Sequence, residues 1–337
     1  MKVALLHSQI PQGAARDDLD LLVQVDAVSR ALDSLGFEPV AIPFSLDIEA
    51  AKDALHKTRP GVVFNLVETV DGRGQLIHLA PSILDHLRLP YTGSGTEALF
   101  LTSNKLLAKK ILKASGIPTP PWITRESSRE EPAMIPANAS CIIKSVWEHA
   151  SIGMSESSVI TLTEGRLHHL RQEMERFRER CGGDCFAEGY IDGREFNLSL
   201  LAGRGGDSGL RVLPPAEIRF EQFPDGKLKI VDYRAKWEEE SFEYQHTPRC
   251  FDFPDEDGPL LERLVEIAGK CWDIFDLRGY ARVDFRVDHD GNPWVLEVNA
   301  NPCISPDSGF AAAASQAGLS YEQLVHRIIV AAGAGGI

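Results

Sequence analysis

The stretch GYARVDFRVDHDGNPWVLEVNANPCISP, residues 279–306, constrains this chain more than any other. Tyr280 to Val287 alternate and are rich in β-formers, Asp290-Gly291-Asn292 is a turn signal, and Trp294 to Val298 make a second apolar strand. The segment therefore reads as a hairpin. Side chains two apart on a strand share a face, which puts Arg282 with Asp284, and Glu297 with Asn299 and Asn301. Two acids and an amide converging from paired strands are all oxygen donors. Such a set suits Mg2+, which keeps waters and takes phosphate oxygens as its other ligands. Arg282 beside them is placed to hold an anion. The alternative is a sheet edge with a solvated, charged face. Glu297 opposes it, because an acid directly after Trp294, Val295 and Leu296 is costly to bury without a partner.

The chain has 337 residues, enough for two or three domains, and a net charge of −14 with no basic tract. That balance argues against general nucleic-acid binding. Lys105, Lys109, Lys110 and Lys113 read as one solvated helix face. No apolar run approaches ~18 residues, so no membrane span is expected. The start, MKVALLHSQIP, is too short an apolar stretch for a signal peptide and reads as a first strand, which implies a cytoplasmic protein. Cysteines stand at 141, 181, 185, 250, 271 and 303 and read as reduced thiols, with a Gly-Gly-Asp turn between Cys181 and Cys185.

Residues 1–93 alternate strand and helix, the pattern of an α/β open sheet. Val3 to Leu6 is a strand, Leu22, Val25, Val28, Leu32 and Leu35 recur at helical spacing, and Gly36 stops that helix. Phe37 to Ile42 and Gly61 to Leu66 are strands, the latter of parallel type by its continuous apolar run. Helices are expected from about Gln75 to Leu87, over Ser103 to Ala114, from about Pro259 to Phe275 and over Ser320 to Ala332. The rigid Ile117-Pro118-Thr119-Pro120-Pro121-Trp122 reads as a hinge, and Phe186 to Gly203 holds two strands.

Further segments carry chemistry. Cys141 to Lys144 is a strand ending in a lysine, followed by the Ser/Gly loop Glu148 to Ser155. There an ammonium would meet phosphate oxygens while N–H groups of Ala150, Ser151, Ile152 and Gly153 wrap them; a plain surface strand end is equally open. Lys105 is a second candidate phosphate partner. Glu188, Tyr190 and Ile191 with Glu195 read either as an adenosine clamp or as a strand pair with exposed acids. Asp232 to Cys250, with Lys236, Trp237 and a run of glutamates, reads as a lid or as a charged excursion. Gly93-Ser94-Gly95 lacks the spacing of a nucleophile elbow and reads as a glycine turn.

Taken in order, these segments resemble the D-alanine–D-alanine ligase family of the ATP-grasp superfamily, from about residue 1 to 332. The likeness lies in VVFN (62–65), LPYTGSG (89–95), Asn104-Lys105, GIPTPPW (116–122), IIK (142–144) and SIGMS (151–155). It continues in AEGYIDGREF (187–196), YRAK (233–236), the hairpin and QAGLSYEQLVHRI (316–328). The resemblance implies that Lys105, Lys144 and the loop around Ser151 bind ATP phosphates. It implies that Glu188, Tyr190, Ile191 and Glu195 hold adenosine, and that Lys236 reaches over from the lid. Asp284, Glu297 and Asn299 would bind two Mg2+ ions, Mn2+ being the other candidate. Arg282 would stabilise the oxyanion and Ser308 would hold a substrate carboxylate.

Departures from the family concentrate on the amino-acid half. The acid that grips the first substrate's ammonium aligns near Leu19, with Asp17, Asp18 and Asp20 nearby. A histidine falls near Glu68, a serine becomes Ala150, the tyrosine after the lid lysine becomes Trp237, and a glycine becomes Cys303. Any non-proline residue at 303 still supplies a backbone N–H to an oxyanion hole.

The expectation is thus an α/β, ATP-grasp protein of three α/β domains: an open-sheet domain over 1–95, a central domain with the phosphate loop over 96–186, and a domain with lid and metal site over 187–337. ATP would be clasped between the last two. The expected function is an ATP- and Mg2+-dependent carboxylate–amine ligase that forms a peptide bond through an acyl phosphate. Alternatives are a ligase for other amino acids or a peptide, a kinase, and an inactive nucleotide-binding sensor or scaffold. Expected partners are small amino-acid or peptide substrates, neither nucleic acid nor membrane, with a homodimer left open.

Overall fold

A computed structural model describes residues 1–10, 16–126, 135, 139–147, 158–161, 167–203 and 209–334. The loop Glu148 to Ser155, including Ala150 and Ser151, lies outside the described residues, as do the side chains of Asp17 and Asp18. Among the described residues the strands form three sheets.

The first sheet is built from β1 (Lys2–Ser8), α1 (Arg16–Ser34), β2 (Glu38–Phe44), α2 (Ile48–Thr58) and β3 (Val62–Leu66). Its order is β2-β1-β3, all parallel. Val3, Ala4, Leu5 and Leu6 are consecutive and all buried, because a parallel strand covered on both faces has no wet side. The buried stripe of α1 is Leu21, Val25, Val28, Ala31 and Leu32, whereas Leu22 is 47% exposed. Periodicity placed Leu22 on the core face. The face is instead set by the partner helix near the chain's other end, whose Leu324, Val325 and Ile328 share one core with this stripe.

Next come α3 (Leu79–Leu87), α4 (Thr96–Ser103), α5 (Lys105–Ala114), β4 (Trp122–Ile123), β5 (Ser140–Ser145), β6 (Val159–Thr161), α6 (Leu167–Cys181) and β7 (Cys185–Gly189). The four strands form an antiparallel sheet in the order β4-β7-β5-β6, with Leu170, Met174 and Phe177 of α6 on it. Helices α4 and α5 pack elsewhere: Ala98, Leu99, Ala108 and Leu112 join the core of the third sheet. Lys109 of α5 is drawn under with them and is 1% exposed, and Lys105 turns towards Glu297, so of the expected solvated lysine face only Lys110 and Lys113 are exposed. The Gly93-Ser94-Gly95 turn is structural, since the Ser94 hydroxyl accepts from the Arg278 N–H at 3.1 Å.

The third sheet contains β8 (Arg194–Ala202), β9 (Leu210–Val212), β10 (Ala216–Ile218), β11 (Arg249–Cys250), β12 (Tyr280–Val287) and β13 (Pro293–Asn299). Its order is β11-β10-β8-β12-β13, with β9 beside β8. Helices α7 (Tyr233–Trp237) and α8 (Phe242–Gln245) lie between β10 and β11, followed by α9 (Gly258–Ile274), α10 (Gly309–Gln316) and α11 (Tyr321–Ile329). Asp232 to Cys250 is therefore not the unstructured loop its composition suggested. Asp232 Oδ1 accepts from the Ala235 N–H at 3.0 Å and Ser241 Oγ from the Tyr244 N–H at 3.1 Å, so each short helix carries a side-chain cap. Helices this short have no apolar stripe for periodicity to detect.

The hairpin holds one irregularity. Asp284 pairs with Glu297 but Phe285 pairs with Val295, so Leu296 is an extra residue in β13. Strict alternation from Val295, which is buried, would send Glu297 into the core. The bulge reverses the phase and brings Glu297 and Asn299 to the face carrying Arg282, Asp284 and Arg286.

Among the described residues no helix is long and apolar enough to cross a membrane, and Cys141, Cys185, Cys250, Cys271 and Cys303 are free thiols. Gly193 turns the chain from β7 into β8 at φ +141°, where a Cβ would lie 2.0 Å from the Val287 carbonyl oxygen. Gly193→Ala should therefore destabilise the protein by about 2 kcal/mol or more. Denaturant unfolding reads this directly, and a change within about 0.5 kcal/mol would contradict it.

Candidate functional site

One face of the third sheet gathers the polar residues that strand alternation places there: Glu195 and Asn197 on β8, Arg282, Asp284 and Arg286 on β12, Glu297 and Asn299 on β13. Arg282 grips Asp284 with two hydrogen bonds, Nε to Oδ1 at 2.7 Å and Nη2 to Oδ2 at 2.8 Å. Asn197 Nδ2 donates to Asp284 Oδ1 at 2.9 Å. Burial works against the Arg282 charge, but Asp284 and then Glu297 hold it above the ordinary arginine value. Across the strand pair, Lys105 at the start of α5 brings Nζ to 3.8 Å from Glu297 Oε1.

Lys236 on α7 reaches the same face from above. Burial, and then the Arg282 guanidinium, lower its ammonium, while Glu297, Asp284 and Glu195 act to raise it. No cluster of three or more His, Cys, Asp or Glu side chains suited to a metal occurs among the described residues. The set at hand is two carboxylates, directly opposed across β12 and β13, and the Asn299 amide on the same face. All are hard oxygen donors, and such a set fits Mg2+ when phosphate and water supply the remaining ligands.

A second group of charges lies towards the four-stranded sheet. Glu188 of β7 is 1% exposed and is paired with Lys144 of β5 and with Lys109, whose Nζ is 2.8 Å away. Lys109 also donates to Thr119 Oγ1 at 2.8 Å, and Thr119 donates to the Val295 carbonyl at 2.9 Å. The Glu188 carboxylate is thus enclosed by lysines and fixes Lys144. The Tyr190 N–H donates to the Ser140 carbonyl at 2.8 Å, and its hydroxyl meets Lys229 O at 3.2 Å. Glu195 is ion-paired with Arg286 Nη2 at 2.8 Å, and Arg286 is buried against Tyr190 and Phe220 while donating to the carbonyls of Gly193 and Lys229.

The third wall joins the amino-terminal domain to the loop after β13. Asp20 of α1 accepts from the Cys303 thiol, Sγ to Oδ2 3.3 Å, and burial raises its carboxyl above the usual range. One turn on, Gln24 donates to Glu68 Oε1 at 3.0 Å and accepts from the Ile304 N–H at 2.6 Å. Leu19 is 49% exposed. Ser308 caps α10, its Oγ accepting from the Ala311 N–H at 3.2 Å. Asn301 does not join the acids as its spacing suggested. It accepts from Tyr280 Oη at 2.9 Å and donates to the Val67 carbonyl at 2.9 Å, since the chain leaves the strand after Asn299.

Sequence reasoning therefore found Lys105, Lys236, Arg282, Asp284, Glu297 and Asn299, which the fold brings together, and missed Lys109, Asn197, Gln24 and Arg286. Arg286 was findable, standing two residues beyond Asp284 on the same strand face. Lys109 was not, because nothing local announces that a helix lysine will be buried. Lys109→Met should leave Glu188 half compensated and cost about 3–5 kcal/mol. Burial opposes the Glu188 charge, but Lys109 and Lys144 lower its carboxyl below the ordinary 4.5. Stability from a depressed acid is present above its unfolded value and lost as pH falls through the folded one. The variant should accordingly acid-unfold at higher pH than the parent, and an unmoved acid midpoint would show that Lys109 does not hold Glu188 ionised.

The family description "D-ala D-ala ligase C-terminus" matches residues 111–330. The chain is 31% identical to the D-alanine–D-alanine ligase of Methylococcus capsulatus over 332 residues, covering 97% of this chain and 94% of that one. It is 32% identical to that of Carboxydothermus hydrogenoformans over 310 residues, covering 90% and 91%. The crystal structure of the Bacillus anthracis D-alanine–D-alanine ligase complexed with ATP superposes with a TM-score of 0.72 at 22% identity, covering 98% of this chain and 97% of that one. The shared architecture is the mixed α/β ATP-grasp fold. By sequence match over most of its length and by fold, the chain belongs to the D-alanine–D-alanine ligase family.

Proposed function

We propose that this protein is an ATP- and Mg2+-dependent carboxylate–amine ligase that joins small amino-acid or peptide substrates through an acyl phosphate. The observation that carries the reading is the opposition of Asp284 to Glu297 across the bulged hairpin, with Lys105 and Lys236 converging on the same face. The relatives named D-alanine–D-alanine ligase and the neighbour bound to ATP support it.

A carboxylate does not expel oxide, so phosphoryl transfer to it must come first. Asp284, Glu297 and Asn299 would hold Mg2+, which when bound neutralises charge spread over the phosphate oxygens. Lys105, Lys144 and Lys236 add fixed positive charge around them, with Lys144 oriented by Glu188. The residues that line the nucleoside side are Tyr190, Ile191 and Glu195, the last held by Arg286. Arg282, anchored on Asp284, stabilises the tetrahedral oxyanion as the amine attacks the acyl carbon. The hydroxyl of Ser308, whose oxygen caps α10, faces the carboxylate of the amine substrate. The lid carrying Lys236 keeps water from the acyl phosphate.

Asp20, with Glu68 close by, takes the ammonium of the carboxyl-donating substrate. The acid comes from a different position of α1 than the family's, and Cys303 and Trp237 stand where the family has glycine and tyrosine. D-Alanine is therefore one candidate substrate among others. Release of ADP and phosphate that depends on one or more amines in a panel of D- and L-amino acids tests the reading. Its absence with every amine would overturn it.

Glu297→Gln should keep the fold and lower turnover by about two orders of magnitude or more, because a neutral ligand weakens Mg2+ binding. A rate within about twofold of the parent would remove Glu297 from the metal site. Asp20→Asn should raise KM for the carboxyl-donating amino acid by about 10-fold to 100-fold, through loss of a charged hydrogen bond, while KM for ATP stays put. Steady-state kinetics with each substrate varied in turn separates the two, and an unchanged amino-acid KM would move the ammonium elsewhere.

A further inference from the structure

A second guanidinium faces the end of the site where Ser308 stands. Arg249 lies on β11, the strand that returns from the lid, and is exposed. Its Nη1 donates to the Asp307 main-chain oxygen at 2.9 Å. The side chain crosses Gly309, the first residue of α10, where a Cβ would stand 3.5 Å from Nε. Partial desolvation, and then the Arg282 guanidinium, lower Arg249, while Asp307, Tyr244 and Cys303 act to raise it.

The charges around these two arginines do not balance alike. Arg282 is matched by both oxygens of Asp284. Arg249 makes its hydrogen bond to a neutral carbonyl, and the Asp307 carboxylate accepts instead from Ser305 Oγ at 2.9 Å. A guanidinium hydrogen-bonded to a neutral carbonyl keeps its full charge and further N–H groups for an added anion. The amino end of α10 adds partial positive charge in the same place. Ser308 and this helix end suffice for one carboxylate of the amine substrate. Arg249 supplies a further full charge.

We propose that Arg249 is a specificity-determining residue that binds a second carboxylate, so that the preferred amine substrate is a dicarboxylic amino acid. The proposal rests on the ligase reading above and narrows its substrate class. A planar guanidinium is well shaped for this, since it can present paired N–H groups to a carboxylate.

The test compares the parent with Arg249→Gln and Arg249→Lys. The amine substrates are aspartate and glutamate in both hands, their side-chain amides asparagine and glutamine, and their α-amides. The parent should favour an acid over its side-chain amide by about tenfold or more in kcat/KM. Arg249→Gln should bring that ratio close to one and Arg249→Lys should keep part of it, with KM for ATP and the melting temperature unchanged. A preference that survives in Arg249→Gln, or no preference in the parent, would overturn the proposal. So would a variant that loses discrimination only against the α-amides, since Arg249 would then serve the α-carboxylate. A parent that turns over with no amine at all speaks against the ligase reading. Arg249 is still tested in that case by the thermal shift that aspartate or glutamate produces with MgADP, which should be present in the parent and lost in Arg249→Gln.

Discussion

The extra residue at Leu296 decides which face of the hairpin carries Glu297 and Asn299. A strand has a period of two, and Val295 and Val298 both face the core of the third sheet. They are three apart, which no regular strand can satisfy, so one residue must bulge. Because it does, Glu297 emerges opposite Asp284 and Asn299 opposite Arg282. The apolar core thereby sets the phase of the polar face. Moving the bulge by one residue would exchange a carboxylate for a valine at the point where the charges converge.

Around that point the buried charges are held by partners. Arg282 holds Asp284 within β12, Arg286 holds Glu195 across to β8, and Lys109 and Lys144 hold Glu188 from a helix and a neighbouring strand. Charges taken out of water are tolerable only when paired in this way, and the pairing leaves them little freedom. A site built so needs little reorganisation when charge moves from a phosphoryl group to an acyl oxygen, which is the property such chemistry needs most.

Helix α1 supplies the remaining wall through Gln24, whose amide binds both Glu68 and the backbone at Ile304. Asn301 ties the same loop to Val67, and Tyr321 Oη donates to the Ile304 carbonyl at 3.0 Å. The loop that carries Cys303 and Ser308 is therefore fixed from three directions.

Much of this was legible in the sequence. Parallel strands announced themselves by continuous apolar runs, the hairpin by alternation around Asp290-Gly291-Asn292, and the conjunction of Arg282, Asp284, Glu297 and Asn299 by their spacing. Those signals are local, because strand geometry acts over a few residues. What tertiary structure alone decided is non-local: that Leu21 and not Leu22 faces the core, that Lys109 is drawn under α5 to meet Glu188, and that Asn301 ends in a structural contact. It also decided that Arg249 comes to lie beside Asp307 and Gly309, more than fifty residues away in sequence. Each depends on which distant element packs against a side chain, and burial and pairing of charge are properties of that meeting, not of the residues taken one segment at a time.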